Sequence, residues 1–205
     1  MAANITLKRA QKAQRRKLIV AEKRRAETLE AGLPARVLRA SRAPILHCLL
    51  SESLFDAGMG TVVLARGTTP QDVALGSFLV DVFCLGIKNG MFGALDGENF
   101  ERTMNGMHAA SPLVPVEPSH ARKLLRDLTA WSRSIGFAPH REFAAVEPLF
   151  GDVSADAIDA VFRFGRDDKP FYVPGPGESL PTVQRRIAHL RSALGDEGFG
   201  LAQIS

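Results

Sequence analysis

Val73-Ala74-Leu75-Gly76-Ser77-Phe78-Leu79-Val80-Asp81-Val82-Phe83-Cys84-Leu85 is a long apolar string with β-branched and aromatic members, and it reads as a strand. Upstream of it, Thr68-Thr69-Pro70-Gln71-Asp72 is polar and turn-like, and Thr61-Val62-Val63-Leu64-Ala65 before that is again β-branched. A Gly58–Gly60 turn separates this from Ile45-Leu46-His47-Cys48-Leu49-Leu50, a short apolar run that reads as a buried strand. Two or three antiparallel strands in sequence make a β-meander.

Downstream the period changes to that of helices. Asn99 to Met107 fits a short helix. From Pro118 or Ser119 a clearer one places Ala121, Leu124, Leu125, Leu128, Trp131 and Ile135 on one stripe, with Gly136 as its stop. A short helix is expected near Glu142–Phe150. A second hairpin is expected from Val161-Phe162-Arg163-Phe164 and Phe171-Tyr172-Val173, and a last helix near Thr182–Leu194. Strands and helices are segregated rather than alternating, so the expected class is α+β, a small antiparallel meander sheet packed with helices.

Before the meander, Thr6 to Ala31 is rich in good helix formers without Gly or Pro, and Gly32 followed by Pro34 reads as its stop. Leu7, Ala10, Leu18, Ala21 and Leu29 make only a thin apolar stripe, broken by Gln14 and Arg25, so a projecting helix is expected. The expected organisation is a basic helical arm over 1–33 and a single α+β domain over 34–205. Residues 1–42 carry twelve Lys and Arg against three acids, a net of +9, whereas residues 43–205 carry fourteen against nineteen, a net of −5. An acidic body with a basic arm is a pattern associated with polyanions.

A chain of 205 residues with 45% hydrophobic content has ample material for one core. No apolar run approaches the roughly 18–20 residues that span a bilayer. Lys8 to Lys17 is too polar for a secretory h-region, and the lack of serine in residues 1–40 disfavours a mitochondrial presequence. Cys48 and Cys84 both sit in apolar strings, which suits reduced core thiols and a cytoplasmic address.

Phe78-Leu79-Val80-Asp81-Val82-Phe83-Cys84-Leu85-Gly86-Ile87-Lys88 resembles a segment of a bacterial family of uncharacterised proteins. Phe164-Gly165-Arg166-Asp167-Asp168-Lys169-Pro170-Phe171-Tyr172-Val173-Pro174-Gly175-Pro176, with the helix after it, resembles the same family. The resemblance covers residues 44–200 in order of elements and implies a shared domain without an assigned activity. Asn89 stands where an acid is commoner in that pattern, and Asp168 where a hairpin glycine is commoner.

Asp81 is the most informative single residue. On a regular strand it shares a face with Ser77, Leu79, Phe83 and Leu85, opposite Phe78, Val80, Val82 and Cys84. An acid among apolar neighbours is costly unless paired or hydrogen-bonded. It is either a catalytic acid or metal ligand, or a structural carboxylate accepting hydrogen bonds at a sheet end. Strand parity separates it from Cys84, which reads as an inert core thiol. His47, His108, His120, His140 and His189 have no metal-binding spacing, and no metal or cofactor is expected. Pro174-Gly175-Pro176-Gly177-Glu178-Ser179 precedes a helix, but two prolines remove amide donors and Glu178 would repel a phosphate, so it reads as a rigid connection.

The expected function is therefore a non-enzymatic nucleic-acid-associated protein, with RNA or the ribosome favoured over a specific DNA site. Arg9, Lys12, Arg15, Arg16, Lys23, Arg24 and Arg25 would meet backbone phosphates from most of a helix circumference. With no aromatic residue, the arm is unsuited to stacking on bases. Two alternatives stand beside it: a small hydrolase-like enzyme gathered around Asp81, Lys88 and Glu52, or an interaction scaffold docking its arm on an acidic protein.

Overall fold

The computed structural model describes residues 32–69 and 71–202. The chain divides into two units, Met1–Arg36 and Val37–Ser205, and the fold below is that of the second. The expected basic helix lies outside the described residues.

The body is α+β. Its centre is a five-stranded antiparallel sheet in the order β4-β3-β2-β1-β5, built from β1 (Ile45–Ser51), β2 (Met59–Thr69), β3 (Asp72–Asp81), β4 (Gly86–Leu95) and β5 (Leu113–Pro115). The first four form a meander. The chain then crosses through a helix to add β5 beside β1, where Leu50 faces Val114. A helix α1 (Leu33–Ala40) precedes the sheet and α2 (Leu54–Ala57) joins β1 to β2. Pro34 was expected to bar further helix, yet it falls in the first turn of α1, where its missing N–H has no intrahelical partner to lose.

Period-2 alternation gives the sheet two apolar faces. On one, Val63, Ala65, Val73, Leu75 and Leu113 pack with Phe100, Met104 and Met107 of α3 (Gly97–Ala110). Asp96 starts that helix by accepting the Asn99 N–H at 2.9 Å. On the other face Phe78 is fully buried. It meets Phe143 edge-on at 5.8 Å and Phe150 at 6.2 Å. These two belong to α5 (Phe143–Val146) and the 3₁₀ turn Glu147–Phe150. Complete burial of one such ring contributes about 1.5–3 kcal/mol. Helix α4 (Pro118–Ser134) packs against β1 and β4, burying Ala121, Leu124, Leu125 and Leu128 of the expected stripe.

Two further expectations are corrected. The strand expected to reach Leu85 ends at Asp81, because the Asp81 carboxylate takes the N–H groups of Phe83 (3.0 Å) and Cys84 (2.9 Å) and curls the chain into a turn. The parity argument therefore fails beyond Asp81, which sits beside the Cys84 backbone rather than across the sheet from it. The hairpin expected from residues 161–173 is also absent. Residues 161–164 form no strand, and β6 (Phe171–Tyr172) pairs in parallel with β7 (Gly200–Leu201). The physical reason is competition for donors and rings. The N–H of Gly165 donates to Val82 O and that of Phe171 to Phe83 O, both at 2.8 Å. Phe162 packs on His120 and Phe164 on Trp131 of α4. What remains of the hairpin is a tight Arg166–Lys169 turn with Asp167 and Asp168 at φ 53° and 59°.

Candidate functional site

Near the turn after β3, four charged side chains come together: Asp81, Lys88, Glu178 and Arg186. Asp81 is 4% exposed. Burial raises its pKa; the N–H groups of the turn and the charge of Lys88 oppose that rise. Gly86 closes the turn at φ 72°, and a Cβ there would lie 2.4 Å from the Ser132 hydroxyl, so only glycine lets β4 start against α4. Two residues into β4, Lys88 reaches the Glu178 carboxylate at 3.5 Å.

Glu178 holds the cluster together. It stands before α6 (Leu180–Leu194), in a turn closed by its own N–H on Gly175 O at 3.0 Å. One carboxylate oxygen accepts the Tyr172 hydroxyl, while the other faces both Lys88 and Arg186. The Arg186 Nη1 lies 2.5 Å from that oxygen but out of line for a hydrogen bond, so the contact is coulombic. Burial alone would raise the Glu178 pKa, but the Tyr172 hydrogen bond and the neighbouring Arg186 and Lys88 cations hold it below the ordinary value. Burial and the bonded carboxylate push Tyr172 up to about 12. Beneath lie Cys84, Leu85, Tyr172, Val183 and Leu190 in one apolar cluster.

This arrangement serves cohesion better than catalysis. Glu178 is a poor base because its charge is stabilised on every side, and Asp81 spends an oxygen on two backbone donors. Burial, first of all, pushes both the Cys48 and Cys84 thiols up to about 12, so neither is a thiolate at neutral pH. An acid and a base poised on opposite sides of neutrality in one open cleft are what acid–base chemistry requires.

The structure thus brings Asp81 and Lys88 within coulombic reach of one another, and leaves Glu52 out. Glu52 is exposed just beyond β1, its backbone N–H on Pro112 O at 2.9 Å. Asn89, next to Lys88, accepts the Gly90 N–H through its own Oδ1. His47 stacks on Phe100 and His120 meets Phe162 edge-on, while the His108 ring accepts the Leu113 N–H, His140 the Glu142 N–H, and His189 meets Ile135 O at 3.2 Å. Among the described residues no group of three or more His, Cys, Asp or Glu is placed to hold a metal. Arg9, Lys12, Arg15, Arg16, Lys23, Arg24 and Arg25 lie outside the described residues.

Sequence reading missed the partnership of Tyr172, Glu178 and Arg186 with Lys88. No spacing links these positions, since they meet only when α6 folds back onto the hairpin end. No family model, curated protein or solved structure matches the chain.

Proposed function

We propose that the protein is a non-enzymatic, cytoplasmic nucleic-acid-associated protein that holds phosphate backbone through its basic N-terminal segment, RNA or the ribosome before a specific DNA site. The observation that carries this is the charge asymmetry: a net +9 in residues 1–42 followed by −5 in the rest. Counterion release gives such a segment affinity for any polyanion. The commitment of Asp81, Glu178 and both thiols to structure supports the non-enzymatic side. Two buried free cysteines support a reducing compartment. Among the described residues no helix is long and apolar enough to cross a membrane. The same reading takes the chain as a member of the uncharacterised bacterial family that its two segments resemble.

The hydrolase reading has less support, because Asp81 is buried and bonded and Glu52 lies apart. The decisive experiment is capture of bound nucleic acid, with and without nuclease. It compares the intact chain with one lacking residues 1–32 and with a full-length variant carrying Glu at positions 15, 16, 24 and 25. RNA retained by the intact chain and lost by both variants is the expected result. Full retention by either variant removes the arm from the account.

A further inference from the structure

A second charged site lies away from the Glu178 cluster, in residues 38–152. An open cleft of about 790 Å³ is walled by Arg42, Arg66, Arg122, Glu147, Gly151 and Asp152, with Leu38, Ser41 and the Ala43-Pro44 segment behind them. Small-molecule sites occupy roughly 300–1,000 Å³, so the cleft has room for a nucleotide-sized ligand.

Arg66 is the unusual element. It projects from β2 and is only 4% exposed. Its Nη1 donates to Ala43 O and its Nη2 to Phe150 O, each at 2.6 Å. Its Nε is buried and has no acceptor among the described residues. Carbonyls orient the guanidinium without neutralising it, and no carboxylate among the described residues forms an ion pair with it. A buried cation is costly unless an anion answers it. Burial indeed lowers the Arg66 pKa, with Asp152 opposing that fall from a distance and Arg122 adding to it.

The remaining charges do not close the account. Arg122 donates through Nε to Glu147 at 2.8 Å, and through Nη1 to Gly151 O and Val153 O. Glu147 is shared with Arg126 at 3.4 Å, so it already answers two cations. Asp152 and Arg42 are both exposed. Three arginines thus face the cleft against one twice-used carboxylate and one solvated one. The wall between them is closely packed at Gly151, which has φ 62° and where a Cβ would lie 2.8 Å from Ser41 O and 3.2 Å from Arg66 Nη2. Planar guanidinium groups held by carbonyls suit an anion with several oxygens and more than one charge.

We infer that this cleft binds a phosphate group, Arg66 and Arg122 forming its floor and Arg42 its rim. The phosphate could belong to a free small molecule or to a nucleic-acid backbone, and the test separates the two. The inference does not rest on the role of residues 1–32.

Inorganic pyrophosphate is titrated calorimetrically into the full-length protein at low salt. The expected result is saturable binding with Kd below about 1 mM, weakened at least about tenfold by Arg42→Glu and strengthened by Asp152→Asn. Both positions are exposed, so both variants keep the fold, and a gain of affinity is not a product of misfolding. The arm charge-reversal variant keeps pyrophosphate binding under this inference, even where it loses RNA. If a short RNA displaces pyrophosphate from that variant, the cleft takes backbone phosphate; if it does not, the cleft takes a free small molecule, and either outcome supports the site. Absence of saturable binding in the wild type overturns the inference, as does binding that neither Arg42→Glu nor Asp152→Asn changes.

Discussion

Asp81 accepts the Phe83 and Cys84 N–H groups through Oδ1 while burial raises its pKa. Those two facts separate its shape from its charge. Asn retains the acceptor without the charge, so Asp81→Asn is expected to stay within about 1 kcal/mol of wild type in urea unfolding at neutral pH. Asp81→Ala strands two donors and costs about 1–3 kcal/mol. A large loss in the Asn variant would make the charge itself the structural element. Glu178 titrates with the opposite sign. Its pKa is held below the ordinary 4.5, so the unfolded chain binds its proton first as pH falls. Its stabilisation is present above pH 4.5 and is lost as pH drops through the lower folded value. Asp81, with a raised folded pKa, gives stability that falls as pH rises from 3.8 toward that value. Thermal unfolding followed from pH 6 to pH 3 should therefore show an acid loss that Glu178→Gln flattens and Asp81→Asn steepens. A Glu178→Gln profile parallel to wild type would remove the carboxylate from the cluster's stability. That Asp81 is structural was one of two readings open from its apolar neighbours. Its partners were not legible, because they are backbone groups of a turn that a regular strand does not have.

The β3–β4 hairpin shows how far element reading goes. β3 announces itself through Phe78, Leu79 and Val80. β4 does not, because Gly86, Asn89, Gly90 and Gly93 lower its strand propensity, and it exists by pairing with β3 from Val73↔Leu95 to Asp81↔Gly86. Its starting point depends on a left-handed Gly86 pressed on Ser132. Gly86→Ala is expected to cost more than about 1 kcal/mol through strain and overlap together, seen as a lower urea midpoint at unchanged slope. Stability equal to wild type would show that the turn can relax around a methyl group. Helices α3, α4 and α6 were legible from their period, and the end of α4 from Gly136 as well, since amphipathic helices carry their signal locally. The residues 161–173 hairpin was misread because alternating Phe and Val satisfy a strand pattern equally well when the rings pack on α4 and the amides bond to the Val82–Phe83 turn.

At the scale of the molecule, the charge division sets the expected solution behaviour. If all seven named arm cations engage a single strand, log K should fall with log salt at a slope of up to about −5, and loss of the arm should flatten it. Salt titration of RNA binding, monitored by fluorescence anisotropy, reads that slope directly, and a flat dependence in the intact chain would contradict the phosphate account. This basic segment, the α+β class, the first three strands of the meander and the main helices follow from the sequence by itself, because composition, periodicity and capping act over a few neighbouring residues. Tertiary structure alone decided three other things: that Glu178 ties Lys88, Tyr172 and Arg186 together, that Asp81 ends its strand, and that Arg66 lies buried near Arg122 with no carboxylate partner among the described residues. Each depends on groups far apart in the chain meeting at short range, where burial sets the strength of their charges, and no local pattern encodes that meeting.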